Sequence, residues 1–84
     1  MNKHILLAMK WLNDNDSVSQ KELEKNRGKA YRVADRAATD TCWAAYLAAD
    51  WSADGEPCYA TYSVDEYFKI TGEDRNKYEK ELSK

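Results

Sequence analysis

Apolar positions recur along the chain at the three- and four-residue spacing of amphipathic α-helices. In the first such segment, Ile5, Leu6, Met9 and Leu12 share one side. An Asn-Asp-Asn-Asp run follows at positions 13–16, and side chains of this kind bond to backbone groups in turns rather than in helices. The pattern predicts a short N-terminal helix that ends at this run. No segment alternates as a β-strand would.

The next helix has the clearest start signal in the sequence. Ser19 and Glu22 have the spacing of a capping box, and apolar residues flank the pair at the positions of a hydrophobic staple. Strong helix formers then continue to about Trp51, interrupted by Gly28. These features predict one long central helix. Whether it runs straight through Gly28 or bends there is left open.

Small side chains line one side of this predicted helix. They recur at steps of three and four residues, at Ala30, Ala34, Ala37, Thr41, Ala45 and Ala48. A row of small side chains allows another helix to approach closely. Residues 42–49 are apolar all round, because Trp43, Tyr46 and Leu47 point away from the row. We expect every side of this stretch to be covered, by the domain or by a partner.

Turn residues at positions 54–57 interrupt the helical pattern. Ser63 and Glu66 then repeat the capping-box spacing, so the sequence predicts a helix that begins at Ser63. An earlier start, at Pro57, is left open, because proline is common in the first turn of a helix.

Gly72 is expected to end that helix, and a last helix is expected from Glu73 to Leu82. The sequence therefore predicts a single all-α domain over residues 1–84. Its architecture is expected to be a small compact bundle of three to four helices, built around the long central helix.

Composition limits the classes of protein to which the chain can belong. It has 84 residues, of which 43% are hydrophobic and 33% charged, and a chain of this size has a small core with little room for a substrate pocket. The longest uncharged stretch of the first fifty residues, Thr41 to Ala49, is far shorter than the roughly 20 residues of a membrane-spanning helix. The apolar run near the N-terminus is too short for a signal peptide. We expect a cytoplasmic protein without a membrane anchor.

Few residues could support catalysis or hold a metal. His4 is the single histidine, and no serine or cysteine stands at a recognisable motif spacing from it. Cys42 and Cys58 lack CxxC spacing and, with His4, would leave a zinc site one ligand short. We expect no enzymatic activity, no cofactor and no metal, and we expect both cysteines to be reduced and buried as small apolar side chains.

A stripe of basic residues is the most prominent candidate binding feature. Its members step by three or four residues within an arc of about 80°, and Trp43 lies on the same arc further along, with Leu47 in the apolar stretch that follows. Basic and aromatic side chains in such a row are typical of contacts with phosphates or acidic protein surfaces. An ordinary solvated face is the alternative. The candidate partner-binding residues are Lys21, Lys25, Lys29, Arg32, Arg36, Trp43 and Leu47.

Charge is divided unevenly along the chain. Residues 1–37 carry eight Lys/Arg against five Asp/Glu, and residues 38–84 carry five against ten, although the net charge is only −2. The stretch between Ala37 and Phe68 contains six acidic residues and no Lys or Arg. Six charges are too sparse to imitate nucleic-acid phosphates, so this stretch is expected to be a solvated surface. The negative total argues against nucleic-acid binding.

Three segments carry a resemblance to known proteins. They are the opening LLAMKWLNDNDSVSQKELEKN, the Ala/Tyr/Asp-rich middle AYRVADRAATDTCWAAYLAADW and the closing YFKITGEDRNKY. Over most of its length the chain resembles short accessory proteins of tailed bacteriophages. The resemblance implies a phage gene expressed in the bacterial cytoplasm. It implies no catalytic or binding residue, because the function of such proteins is generally unassigned.

These observations favour a non-enzymatic accessory protein that binds a host bacterial protein and modulates or inhibits it. The alternative is a homo-oligomeric helical scaffold, in which a homodimer or larger assembly buries the apolar stretch against copies of the same chain. A third hypothesis is weak nucleic-acid binding through the basic stripe.

Overall fold

The computed structural model describes residues 1–84 and contains five α-helices and no strand. In chain order, they are α1 (Lys3–Asn13), α2 (Gln20–Ala37), α3 (Asp40–Ala53), α4 (Pro57–Thr71) and α5 (Arg75–Leu82). A short 3₁₀ turn, Asn15–Ser17, joins α1 to α2. Helix α3 packs against α1, α2 and α4 and lies at the centre of the bundle. The all-helical prediction is confirmed, with five helices instead of three or four.

The predicted long central helix is in fact two helices. Helix α2 continues through Gly28 without interruption, and the chain then turns at Ala38, which has left-handed backbone angles (φ 52°, ψ 37°). Thr39 starts α3, because its side-chain oxygen accepts the backbone N–H of Cys42 at 3.2 Å. The prediction missed this cap because the three- and four-residue spacing of the small side chains continues across the turn, although residues 39–42 are weak helix formers.

The turn also divides the predicted row of small side chains. Ala30 and Ala34 on α2 and Ala45 and Ala48 on α3 are buried, as expected for a row that other helices approach closely. The middle of the row, residues 37–41, forms the end of α2, the turn and the start of α3, and therefore lies largely at the surface.

The predicted capping box at the start of α2 is confirmed. The Ser19 side chain accepts the backbone N–H of Glu22 at 3.1 Å, and the Glu22 carboxylate accepts the backbone N–H of Ser19 at 3.3 Å. The flanking Val18 and Leu23 are both buried in one apolar cluster, so the staple pair helps to fasten the start of α2 to the core.

The second predicted capping box is wrong. Helix α4 begins at Pro57, in the first-turn position that proline favours, so Ser63 and Glu66 lie in the middle of a helix. Ser63 is buried inside the fold and does not cap a helix end. Gly72 ends α4 with φ 69°, as predicted. Helix α5 starts two residues later than predicted, after Asp74, whose side chain accepts the backbone N–H of Asn76.

The cysteines are unpaired, and the prediction that both are buried is wrong. Cys42 is half-buried in the first turn of α3, whereas Cys58 is exposed in the first turn of α4. Cys58 is exposed because the turn before α4 and the start of this helix, residues 54–59, lie at the surface.

Two tyrosine hydroxyls donate hydrogen bonds to one carboxylate and stabilise the C-terminal part of the fold. The Tyr67 hydroxyl donates to Glu73 Oε2 at 2.7 Å, and the Tyr78 hydroxyl donates to Glu73 Oε1. The Tyr78 oxygen in turn accepts the backbone N–H of Asn2 at 2.8 Å. The hydrogen bonds from Tyr78 and Tyr67 stabilise the ionised carboxylate and lower the pKa of Glu73, while burial raises the pKa of both tyrosines. This network ties α4, α5 and the N-terminus together.

The left-handed backbone of Ala38, in the turn between α2 and α3, predicts that glycine at this position stabilises the fold. An L-residue with positive φ is strained, so Ala38→Gly is expected to raise the free energy of unfolding by about 0.5–1 kcal/mol. Gly28→Ala is the reference for a position inside a continuous helix, where alanine is the stabilising residue. It is expected to raise the free energy of unfolding by about 0.5–1 kcal/mol, because nothing beyond the local helix backbone lies within 4 Å of an added Cβ. Urea unfolding followed by circular dichroism measures both. A loss of stability in Ala38→Gly would indicate a helix that continues through this position.

The shared carboxylate predicts a pH-dependent effect of Glu73→Gln. Because the pKa of Glu73 is lower in the folded chain, its contribution to stability is fully present above the unfolded-state pKa of about 4.3 and is lost as the pH falls through the folded-state pKa. The difference in unfolding free energy between wild type and Glu73→Gln should therefore shrink below about pH 4. Glu79→Gln, at an exposed position of α5, is the control and should show no such trend. A difference that stays constant down to low pH would contradict this assignment.

Candidate protein-binding site

Four large apolar side chains gather at the surface between α3 and α4. Trp43 and Leu47 from α3 are 39% and 41% exposed, and Tyr62 and Ile70 from α4 are 66% and 46% exposed. All four line one groove of about 270 Å³, which we call the α3–α4 groove. Single exposed apolar residues are normal on protein surfaces, but a shared concave patch is typical of an interaction site.

Helical spacing places these side chains on the two walls. Trp43 and Leu47 are four residues apart and therefore share one side of α3, and Tyr62, Glu66 and Ile70 repeat this spacing on α4. The other sides of α3 are buried by the bundle. Of the predicted apolar stretch at 42–49, the side that carries Trp43 and Leu47 is the one that this chain does not cover.

Small side chains form the floor of the groove, and acidic side chains lie at its rim. Ala44 and Ser63 are buried side chains among its lining residues, and Asp40 and Glu66 contribute one carboxylate from each wall. Neither carboxylate forms a salt bridge within the chain. The first cation after the acidic stretch, Lys69, does not line the groove. The arrangement therefore offers an apolar contact surface with negative charge on both sides.

An aromatic cluster holds Trp43 at the edge of the groove. Its ring meets Tyr31 of α2 and Tyr46 of α3 edge-on, with ring centroids 6.4 and 5.6 Å apart, and the two tyrosines lie 5.4 Å from each other. Burial and the negative charge of Asp50 raise the pKa of Tyr46, because both disfavour the ionised form of its hydroxyl. Edge-on contacts with these two tyrosines restrict the indole, and a pre-oriented side chain loses less conformational entropy on binding.

The predicted basic stripe lies on the outward face of α2, which we call the basic face. Its five members are exposed, and none forms a salt bridge within the chain. They are Lys21, Lys25, Lys29, Arg32 and Arg36. The one cation of α2 that bonds to the acidic half of the chain is Arg27, which pairs with Asp54 at 3.0 Å and with Asp50 at 3.6 Å.

The structure separates the basic face from Trp43, so the prediction that they share one arc is wrong. Trp43 contacts α2 at Tyr31, which stands about 80° to 160° around the helix from the five cations at about 100° per residue. Lys25 and Lys29 instead border a groove shared with α1. The cause is the turn at Ala38, which ends α2 and gives α3 its own direction. The seven candidate residues therefore belong to two surfaces.

The α4 wall of the groove was not predicted from the sequence. Tyr62, Glu66 and Ile70 carry the four-residue spacing that marks one side of a helix. A helix that begins at Ser63 does not include Tyr62, so the predicted helix lacked the first residue of this row. A helix that begins at Pro57 contains all three residues on one side. Their proximity to Trp43 depends on how α3 and α4 pack, and no local pattern encodes that contact.

The chemistry of the groove favours binding by contact. Its side chains are an indole, a phenol, aliphatic groups and two separate carboxylates. Nowhere in the chain do three potential ligands from histidine, cysteine, aspartate and glutamate come together as a metal site. None of the five helices combines the length and the apolar character needed to cross a membrane.

Comparisons with protein-family models, with curated proteins and with solved structures return no match. The geometry of the groove and of the basic face is therefore the basis for a functional assignment.

The exposed position of Leu47 predicts that polar substitution there is tolerated. Leu47→Gln should change the free energy of unfolding by less than about 1 kcal/mol, because much of the side chain already contacts water. Ala48→Gln, one residue further on, should cost more than about 2 kcal/mol, because Ala48 is 0% exposed and an amide would be forced into the core. Thermal and urea unfolding measure both variants. Equal losses would show that the groove is part of the core.

Proposed function

We propose that the protein acts without catalysis, by docking its α3–α4 groove on another protein and thereby modulating or inhibiting that protein. The observation that carries this proposal is the set of four large apolar side chains exposed together in one groove. Their burial against a partner is favourable by about 25 cal/mol for each Å² of apolar surface removed from water. Trp43 and Tyr62 are of the residue types that dominate interface energetics.

The proposed partner is a protein of a bacterial host. The resemblance to short accessory proteins of tailed phages supports this setting, in which the chain is expressed in the host cytoplasm during infection. A small stoichiometric binder can block a host enzyme or a defence factor by covering its surface. The proposal needs no catalytic residue, cofactor or metal in this chain.

The basic face is a second, separate candidate surface. Five exposed cations without salt bridges within the chain produce a local positive field. Such a field attracts acidic surfaces of a partner and raises the rate of association, and this contribution weakens as salt increases. The groove supplies the apolar contact and the basic face supplies the long-range attraction.

Affinity capture from nuclease-treated bacterial lysate tests this proposal. The tagged wild-type protein is expected to retain a stoichiometric protein partner. The groove variant Leu47→Gln/Ile70→Gln is expected to weaken binding by about 30-fold or more, as for loss of an interface hot spot of about 2 kcal/mol. The matched control Arg32→Gln/Arg36→Gln should slow association but keep the partner.

Two results would contradict the proposal. Equal capture by wild type and the groove variant would exclude the groove as the binding site. Capture that nuclease removes, and that Arg32→Gln/Arg36→Gln abolishes, would favour the nucleic-acid alternative. Light scattering of the purified protein tests the scaffold alternative, which requires an oligomer that the groove variant dissociates.

A further inference from the structure

The walls of the α3–α4 groove offer side chains but no free backbone. Both walls are α-helices, in which backbone N–H and C=O groups already bond to each other. A peptide that binds as a β-strand gains its affinity by pairing with an open sheet edge, and this fold has no strand. The groove offers a ligand no free backbone groups, and an α-helix satisfies its own except at its two ends. The side chains on one face of a bound helix recur every three or four residues. This spacing matches the four-residue spacing of Trp43 and Leu47.

The negative charge at the rim indicates which residues a bound helix should carry on either side of its apolar face. Asp40 on one wall and Glu66 on the other have no cation partner, whereas the nearby Asp65 is paired with Arg75 at 2.7 Å. No Lys or Arg lies between Ala37 and Phe68. Two unpaired carboxylates beside an apolar surface are complementary to lysine or arginine on either side of an apolar stripe.

A second copy of this chain fits the groove poorly. A two-fold contact of groove against groove would bring Asp40 and Glu66 of both copies together with no cation among the lining residues. The basic face lies elsewhere on α2, so a contact between the basic face of one copy and the groove of the next would be heterologous. Such contacts form rings or open chains instead of two-fold dimers.

We propose that the occupant of the α3–α4 groove is an amphipathic α-helix of the partner, with large apolar residues on one side flanked by lysine or arginine. This inference rests on the proposed function and specifies the chemistry of the partner at the same site. Apolar residues at positions i, i+4 and i+7 of that helix lie along Trp43, Leu47, Tyr62 and Ile70. Its cations lie against Asp40 and Glu66.

Three synthetic helical peptides of equal length test the inference. They share one leucine stripe and carry lysine, glutamine or glutamate at the flanking positions. Affinities are measured at low and high salt, binding is located by ¹H–¹⁵N chemical shifts, and peptide helicity is followed by circular dichroism. The lysine peptide should bind at least about tenfold more tightly than the glutamate peptide at low salt, with shifts at the groove and a gain in helicity.

Two variants separate the apolar contribution from the charged one. Leu47→Gln/Ile70→Gln should abolish binding of the lysine peptide. Asp40→Asn/Glu66→Gln should weaken it by about three- to tenfold and remove its preference over the glutamine peptide. Lys77→Gln, on the exposed surface of α5, is the control and should leave the affinities unchanged.

The inference is overturned if none of the peptides binds, if all three bind equally, if the bound peptide gains no helicity, or if the shifts lie outside the groove. A dimer that Leu47→Gln/Ile70→Gln dissociates would also overturn it in favour of a second copy. The peptide results leave the proposed function intact as long as lysate capture depends on the groove, whereas such a dimer would favour the scaffold alternative over the proposed function itself. If capture does not depend on the groove, the proposed function itself fails.

Discussion

The small side chains of α3 are the constraint on which the rest of the structure depends. Ala44, Ala45, Ala48 and Ala49 are all buried, and their size allows α1, α2 and α4 to pack against the same helix. Three neighbours cover most of the circumference of α3 but leave one side open. Trp43 and Leu47, the large residues on that open side, therefore face solvent. The exposed apolar groove is a direct consequence of the way in which the core is packed.

The helix ends show how far local sequence determines this fold. The cap at Ser19 and the end at Gly72 were predicted correctly, because each is set by side-chain or backbone properties within a few residues. The turn at Ala38 was missed, since alanine does not favour left-handed angles and only the following Thr39 marks the break. At Ser63 the spacing was correct but misleading, because burial within α4 outweighed the local capping pattern.

The candidate site was predictable only in part, for a related reason. Trp43 and Leu47 stand out in the sequence because they are large side chains that point away from the row of small residues, on a stretch that is apolar all round. Their neighbours Tyr62 and Ile70 come from another helix, and the contact depends on packing instead of periodicity. The basic face was predicted correctly as a face of one helix, since that property is local. The prediction that it shares a surface with Trp43 assumed one long helix. The turn at Ala38 divides that helix into α2 and α3.

The central claim is that the α3–α4 groove is the surface through which this protein binds its partner. Site-specific photo-crosslinking in bacterial cells tests it most directly, with a photoreactive residue at position 47 in the groove or at position 32 on the basic face. If the groove is the binding surface, position 47 should give one major adduct with another protein, and position 32 should give a weaker adduct or none. An adduct formed only from position 32, or adducts from position 47 that contain only a second copy of the chain, would contradict it.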